Sequence, residues 1–357
     1  MRNVLLLLFS AHETNEGDKM IKKDGLFLFF YRLFASFAIK YVFLISDRMK
    51  RLLLLVLWVW VACFTAASHN YMFKHLEVKD GLSNNQGNAI YKDSHGFMRF
   101  GTASSLKDDG NSLPDSYIED IQEDATGNLW VRTGAGYAIY NSVSDIFDRN
   151  VEGWMWHIGI SGNPSTVYID SEKIFWIYVA GKGIYCYKPG QENAVMVAGT
   201  DTLLTEMNIT DMTECSEGIL LAFGNGVLAC LDREKLNVKW TFDGIASQWG
   251  KNQSETFTLF VDSHERVWMY SVEGMWVYHL PKKSWEVRSV RSDRSNMVRA
   301  ISQDKYGNIW IGRDQDGIEV IGLDGESVRL MNDPNNERTI SNNTVTVLYE
   351  DNVGTMW

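Results

Sequence analysis

Proline is scarce in this sequence, with 5 in 357 residues, and no low-complexity run accompanies it. That excludes a proline-rich linker or a disordered chain. Cysteine is also scarce, with 4 residues, no Cys-x-x-Cys pair and no zinc-ligand spacing. Positive charge is in deficit: 34 Lys+Arg stand against 45 Asp+Glu, for a net −11, and residues 69–357 alone carry 25 basic and 40 acidic side chains. Tracking a phosphate backbone needs clustered Lys and Arg, so nucleic acid is not an expected partner. Missing too are His-Glu-x-x-His, Gly-x-Ser-x-Gly, a phosphate loop and a dinucleotide-binding glycine motif after a strand. No catalytic residue, metal or cofactor is expected. Asp314-Gln315-Asp316-Gly317 lacks the later ligands of a calcium loop and reads as a turn. What the chain has is apolar mass: 45% hydrophobic and 13% aromatic residues, with 13 tryptophans.

Long apolar runs are confined to the N-terminus. Residues 26–45 form one, interrupted by Arg32 and Lys40. The second, "MKRLLLLVLWVWVACFTAAS" at 49–68, has the basic start, short apolar run and small-residue end of a secretory signal. Residues 1–48 therefore read as an upstream extension or a membrane-associated helix, 49–68 as a signal peptide or membrane anchor, and 69–357 as the folded domain. Beyond the signal lie Cys186, Cys215 and Cys230. One disulfide with one free thiol, or three buried thiols, are both open.

The folded part repeats. An Asp followed six residues later by an aromatic marks each copy: Asp124 and Trp130, Asp170 and Trp176, Asp262 and Trp268, Asp304 and Trp310, Asp351 and Trp357. Two copies are degenerate, Asp93 with Arg99 and Glu214 with Leu220. Six copies are recognisable and the seventh is cut short at Trp357. The spacings are 31, 46, 44, 48, 42 and 47 residues. Within one copy, "NMVRAISQD", "IWIG", "IEVIG" and "SVRLM" are short strands separated by Gly- and Asn-bearing turns. Four strands per unit, repeating every forty-odd residues, define a β-propeller blade. One such sheet cannot bury both faces alone, so blades stack radially with the tryptophans between them. The fold class is all-β, a propeller with an incomplete ring preceded by an N-terminal helical or signal segment. Trp130, Trp176, Trp268, Trp310 and Trp357 are its expected structural core. Residues 71–78 are a candidate outer strand for the last blade, and the expected ring is open or strained, with unpaired edges.

"KDGLSNNQGNAIYKDSHGFMRFGT" (79–102) and "NDPNNERTISNNTVTVLYEDNVGTMW" (332–357) resemble the two-component regulator propeller repeat. The resemblance implies the periplasmic sensor portion of a hybrid two-component histidine kinase of the inner membrane, which detects an oligosaccharide and works as a homodimer in its full-length parent. It also implies attachment to the membrane through the N-terminal segment or a later C-terminal helix, with the kinase outside this chain. Three departures stand out: the stop inside the seventh copy, the 31-residue first spacing, and Arg99 in a tryptophan slot, where a cation is costly unless paired or solvated. They point to a truncated fragment.

Ligand-binding candidates sit where a copy leaves its own template. Arg132 replaces the Gly of "WIGT", Arg313 replaces its Thr, and Trp154 and Trp156 lie in an inter-blade segment, "GWMWH". Repeat drift explains each of these as well. A propeller glycoside hydrolase or polysaccharide lyase, which would need two carboxylates facing a cleft, and an inactive gene remnant are the alternative readings.

Overall fold

The computed structural model describes residues 71–102, 112–200, 208–249, 254–290 and 297–357. The assignments made for 1–48 and 49–68 lie outside them. Among the described residues no helix is long and apolar enough to cross a membrane.

Met72–Trp357 forms one compact unit of radially arranged sheets. Blade 1 is the pair β1 (Gly87–Lys92) and β2 (Met98–Thr102). Five four-stranded antiparallel blades follow. Blade 2 is β3 (Ile118–Glu123), β4 (Leu129–Thr133), β5 (Gly136–Asn141) and β6 (Ile146–Asp148). Blade 3 is β7 (Thr166–Ile169), β8 (Phe175–Val179), β9 (Gly183–Tyr187) and β10 (Val195–Met196). Blade 4 is β11 (Ile209–Cys215), β12 (Gly218–Phe223), β13 (Leu228–Asp232) and β14 (Asn237–Phe242). Blade 5 is β15 (Thr258–Val261), β16 (Arg266–Ser271), β17 (Gly274–His279) and β18 (Ser284–Val290). Blade 6 is β19 (Val298–Gln303), β20 (Ile309–Arg313), β21 (Ile318–Ile321) and β22 (Ser327–Leu330). Two short helices, α1 (Val151–His157) and α2 (Gly244–Trp249), sit in the connections after blades 2 and 4.

The Asp and Trp of each copy are bonded to each other. In blade 3 the Asp170 Oδ1 accepts the backbone N–H groups of Glu172 and Ile174, both at 3.0 Å, and its Oδ2 accepts the Trp176 indole N–H, also at 3.0 Å. The same Nε1–Oδ2 bond recurs at 3.3 Å for Trp130, 2.8 Å for Trp268, 2.9 Å for Trp310 and 3.0 Å for Trp357. One carboxylate thus closes the first hairpin and fixes the large side chain between sheets. Burial alone would raise the Asp351 carboxyl; the donors Trp357, Thr355 and Val353 outweigh it and hold that carboxyl below its ordinary range. The hairpin also needs a left-handed residue three places after the Asp. Gly127 (φ 81°) and Gly307 (φ 88°) supply it in blades 2 and 6, and Lys173 (φ 64°) and Glu265 (φ 58°) take the same conformation in blades 3 and 5.

The tryptophans form the inter-blade core. Trp176 is fully buried against Met212, Ile219 and Leu221 of blade 4, Trp268 meets Val298 and Ile309 of blade 6, and Trp130 meets Phe175 of blade 3 at 5.2 Å. Neighbouring blades are also tied by a second bond. The residue after the anchor Asp donates to the residue before the anchor in the next blade: Ser94 to Glu123 (Oγ–Oε1 2.6 Å), Ser171 to Glu214 (Oγ–Oε2 2.9 Å), Ser263 to Gln303 (N–Oε1 2.8 Å) and Lys305 N to Glu350.

Several expectations change. The anchor of blade 4 is not Glu214. Cys215 pairs directly with Gly218, so this hairpin is one residue shorter, and Glu214 occupies the pre-anchor position instead. Leu220 does take the tryptophan place. Gly218 (φ 146°) is obligatory there, because a Cβ would run into the Leu231 carbonyl. Arg99, in the tryptophan slot of blade 1, is paired: its Nε and a terminal nitrogen each lie 2.8 Å from Asp93 Oδ2, and its side chain is one-third exposed. The guanidinium reproduces the indole's bond and also reaches solvent. Residues 71–77 form no strand, and Val78–Asp80 is a single 3-10 turn. Among the described residues blade 1 has two strands, and residues 349–357 make only a bridge in which Tyr349 and Trp357 exchange backbone bonds of 3.1 and 2.7 Å.

The two ends of the unit nevertheless meet. Phe73 N donates to Arg338 O at 3.1 Å, His75 Nε2 lies 2.7 Å from Thr339 O, Thr346 Oγ1 donates to Gly87 O at 2.5 Å, and Phe100 packs edge-on to Trp357 at 5.6 Å. Side-chain and loop contacts thus join the two ends, without a shared strand, where an open or strained ring was expected. Among the cysteines, Cys186 and Cys230 are buried free thiols and Cys215 is a half-buried one.

Candidate functional site

Each inner strand enters its blade from the inter-blade connection, and that entry side, shared with the turns between second and third strands, forms one face of the propeller. A pocket of about 300 Å³ opens there. Arg132 on β4 borders it in blade 2, Ser165, Thr166 and Tyr178 in blade 3, Asn208, Ile209 and Thr210 in blade 4, and Thr256 just before β15. Four successive blades therefore contribute walls.

Local sequence explains why the pocket is there. The repeat template has Gly at the Arg132 position for a steric reason. At Gly312 a Cβ would lie 2.7 Å from Val345 of the next copy, and at Gly101 it would lie 2.6 Å from Ile118. At the blade 2–3 boundary no such branched apolar side chain enters; blade 3 begins Ser165-Thr166, and an arginine fits. The Arg132 Nε lies 2.8 Å from Glu119 Oε2, with both side chains about one-third exposed. Burial opposes the charge of Arg132, but Tyr137, Glu119, Asp120 and Asp211 outweigh it and hold the guanidinium firmly cationic.

Beneath the pocket lies the axis of the ring. Asp120 of β3 and Asp211 of β11 lie on the first strands of alternate blades, and each carboxyl acts electrostatically on Arg132, as Asp120 does on Asp211. Both follow an irregularity in their strand pairing, between Ile118 and Asp120 and between Ile209 and Asp211, which turns them inward. Burial pushes the Asp211 carboxyl up to about 7, and burial also raises that of Asp120. All four oxygens are engaged. Asp120 accepts Ile121 N (2.9 Å) and Gln122 Nε2 (2.6 Å), and Asp211 accepts Met212 N (2.8 Å) and Leu259 N (2.7 Å). The last bond crosses from blade 4 to blade 5. These carboxyls hold inner strands together, so they are poorly placed for the acid and base roles of a glycosidase.

The four sequence candidates do not converge. Arg132 borders the pocket. Trp154 is half-buried on α1, wedged between Trp130 (4.6 Å), Phe175 (5.2 Å) and Tyr187 (5.7 Å). Trp156, on the outer side of α1, is 72% exposed, with His157 edge-on at 6.0 Å. Arg313 is 5% exposed and ion-paired to Glu319 at 2.6 Å. Sequence reasoning missed Glu119, Asp120, Ser165, Asn208 and Asp211.

A larger cleft, about 680 Å³, opens on the opposite face along Ser171, Glu214–Gly218, Asp232–Glu234 and Glu265. Most of its polar groups are bonded to one another: Ser171 and Arg233 to Glu214, Ser216 to Glu265, Trp240 and Lys283 to Glu217, while the buried Arg233 Nε has no hydrogen-bond partner among the described residues. Among the described residues no cluster of three or more His, Cys, Asp or Glu could hold a metal ion.

Residues 112–135 and 292–312 match the family model of the two component regulator propeller, so the chain carries that repeat. The fold is shared with the extracellular domain of BT3049 of B. thetaiotaomicron, described as a hybrid two component system. The two are 16% identical with a TM-score of 0.59, over 81% of this chain and 40% of that one. The extracellular domain of BT4673 of the same organism, described as a one component system, gives 15% identity and the same TM-score, over 81% and 39%. At these identities the likeness is one of fold, and the chain spans about two-fifths of the length of either domain. No curated protein sequence matches the chain.

Proposed function

We propose that this chain is the ligand-reading propeller of an extracellular sensor in a hybrid two-component system, and that it binds one end of an oligosaccharide in the pocket bordered by Arg132. The observation that carries the reading is the composition of that pocket. Four successive blades bring one guanidinium, the hydroxyls of Ser165, Thr166, Tyr178, Thr210 and Thr256, and the Asn208 amide to a single cavity. Polar groups converging on a preformed cleft are the hallmark of a small-molecule site. A ligand touching several blades favours one arrangement of them over another, which is how binding energy becomes a signal. In the parent protein this change would pass through a homodimer across the membrane to a kinase.

The test is a thermal-shift screen of the full chain against a panel of oligosaccharides, followed by calorimetry. Binders found in this way should lose at least about tenfold in affinity in Arg132→Ala, since removing one hydrogen-bonding charged group costs about 1.5–3 kcal/mol. Unchanged affinity in both Arg132→Ala and Asn208→Ala would place sensing elsewhere.

A further inference from the structure

We infer that the Arg132 pocket selects uncharged glycans and rejects acidic ones; this rests on the sugar-binding reading above. An arginine in a sugar pocket ordinarily invites a carboxylate or sulfate, because its planar fork matches an anion. Here the invitation is cancelled. Arg132 is the one cation among the described residues lining the pocket, and Glu119 already holds its Nε at 2.8 Å. Behind it stand two more carboxyl groups, Asp120 and Asp211, close enough to act on the guanidinium.

Neither of those two is neutralised by a second cation. Asp120 is bonded by Ile121 N and Gln122 Nε2, and Asp211 by Met212 N and Leu259 N. The Arg132 charge is therefore already met by Glu119, and Asp120 and Asp211, whose carboxyls burial holds more protonated than usual, bring no second cation for an incoming anion. An anion entering beside Arg132 would have to displace Glu119 or share the guanidinium with it, while lying near two further carboxyl groups.

An uncharged sugar meets no such opposition. The Arg132–Glu119 pair offers donors and acceptors side by side, the pattern presented in return by two neighbouring sugar hydroxyls. The rest of the wall is hydroxyl and amide: Ser165, Tyr178, Asn208, Thr256. At about 300 Å³ the cavity is at the small end of ligand pockets, which fits the tip of a glycan rather than a long segment.

Two matched panels of equal chain length test this, one of neutral oligosaccharides and one of uronic-acid oligosaccharides, titrated into the full-length chain. The expected result is binding of at least one neutral glycan, with every acidic counterpart at least about tenfold weaker. In Glu119→Gln the ratio of acidic to neutral binding should rise about tenfold, whatever the change in neutral affinity itself. Glu119 is exposed, so this change leaves the core alone. A second readout needs no variant: raising the salt concentration tenfold should narrow the gap between panels by screening the repulsion. Acidic glycans binding as tightly as neutral ones, or a preference unmoved by both Glu119→Gln and salt, would overturn the selectivity while leaving sugar sensing intact. Failure of both panels to bind would remove the sugar-sensing reading itself, and the selectivity with it.

Discussion

The stability curves of the native chain and of Asp211→Asn should cross as pH rises. Burial on the axis of the ring lifts the Asp211 carboxyl to about 7, well above its value of about 3.9 in an unfolded chain. The fold therefore favours the protonated form. The stability contributed is complete below about pH 4, declines as pH climbs towards 7, and is level beyond. At full strength a shift of that size is worth about 4 kcal/mol. Asp211 is only half-buried, so solvent screens the effect, and we expect about 2 kcal/mol. Asparagine carries no charge, so it removes this decline. It also has one acceptor oxygen where Asp211 uses two, for Met212 N and Leu259 N, so it loses about 1 kcal/mol at every pH. The variant should be less stable than the native chain at pH 4 and more stable at pH 8, by about 1 kcal/mol each way. Urea melts across that range decide the matter. Parallel curves would show that Asp211 ionises as it would in water.

Trp176→Ala should be the most damaging single change in the described core. The indole is fully buried between blades 3 and 4, and deleting such a side chain costs about 3–5 kcal/mol. Asp170, itself 2% exposed, would lose the 3.0 Å indole donor that helps balance its burial. Trp176→Phe separates the two effects. It keeps much of the apolar volume while removing the hydrogen bond and part of the ring, so it should cost about 1–2 kcal/mol, well below the alanine variant. A phenylalanine variant as unstable as the alanine one would mean that the bond to Asp170, and not inter-blade packing, dominates. Chemical denaturation monitored by far-ultraviolet circular dichroism separates these outcomes.

Much of the fold was legible because the repeat writes it several times over. Strands at Val298–Gln303, Ile309–Arg313, Ile318–Ile321 and Ser327–Leu330 fall where alternation and turn residues put them. The Asp and Trp markers were visible as spacing; that one bonds the other was not, because spacing is silent on which way side chains turn. The inter-blade ties had a signal that went unread. Glu123, Gln303 and Glu350 each stand directly before an anchor Asp, an odd place for a long polar side chain unless it has a partner across the blade boundary. Glu214 was misread as an anchor because the deletion of one turn residue shifted the count.

The candidate site was harder to read. Arg132 could be found as a break in the template, but Ser165, Asn208 and Thr256 come from different blades and are neighbours only through the ring. Asp120 and Asp211 left a trace: in "IEDI" and "ITDM" an Asp follows a polar residue inside an otherwise apolar inner strand. Such a break marks a bulge that turns a polar group inward. Trp156 shows the opposite case, a conspicuous residue that the fold leaves on the outer rim.

The most direct test of the account is hydrogen–deuterium exchange on the full chain with and without the tightest-binding neutral oligosaccharide of the panel. Slowed exchange is expected at Ser165–Thr166 and Asn208–Thr210, on the face where Arg132 lies. Protection confined to Ser171 and Glu214–Gly218, on the opposite face, would contradict it.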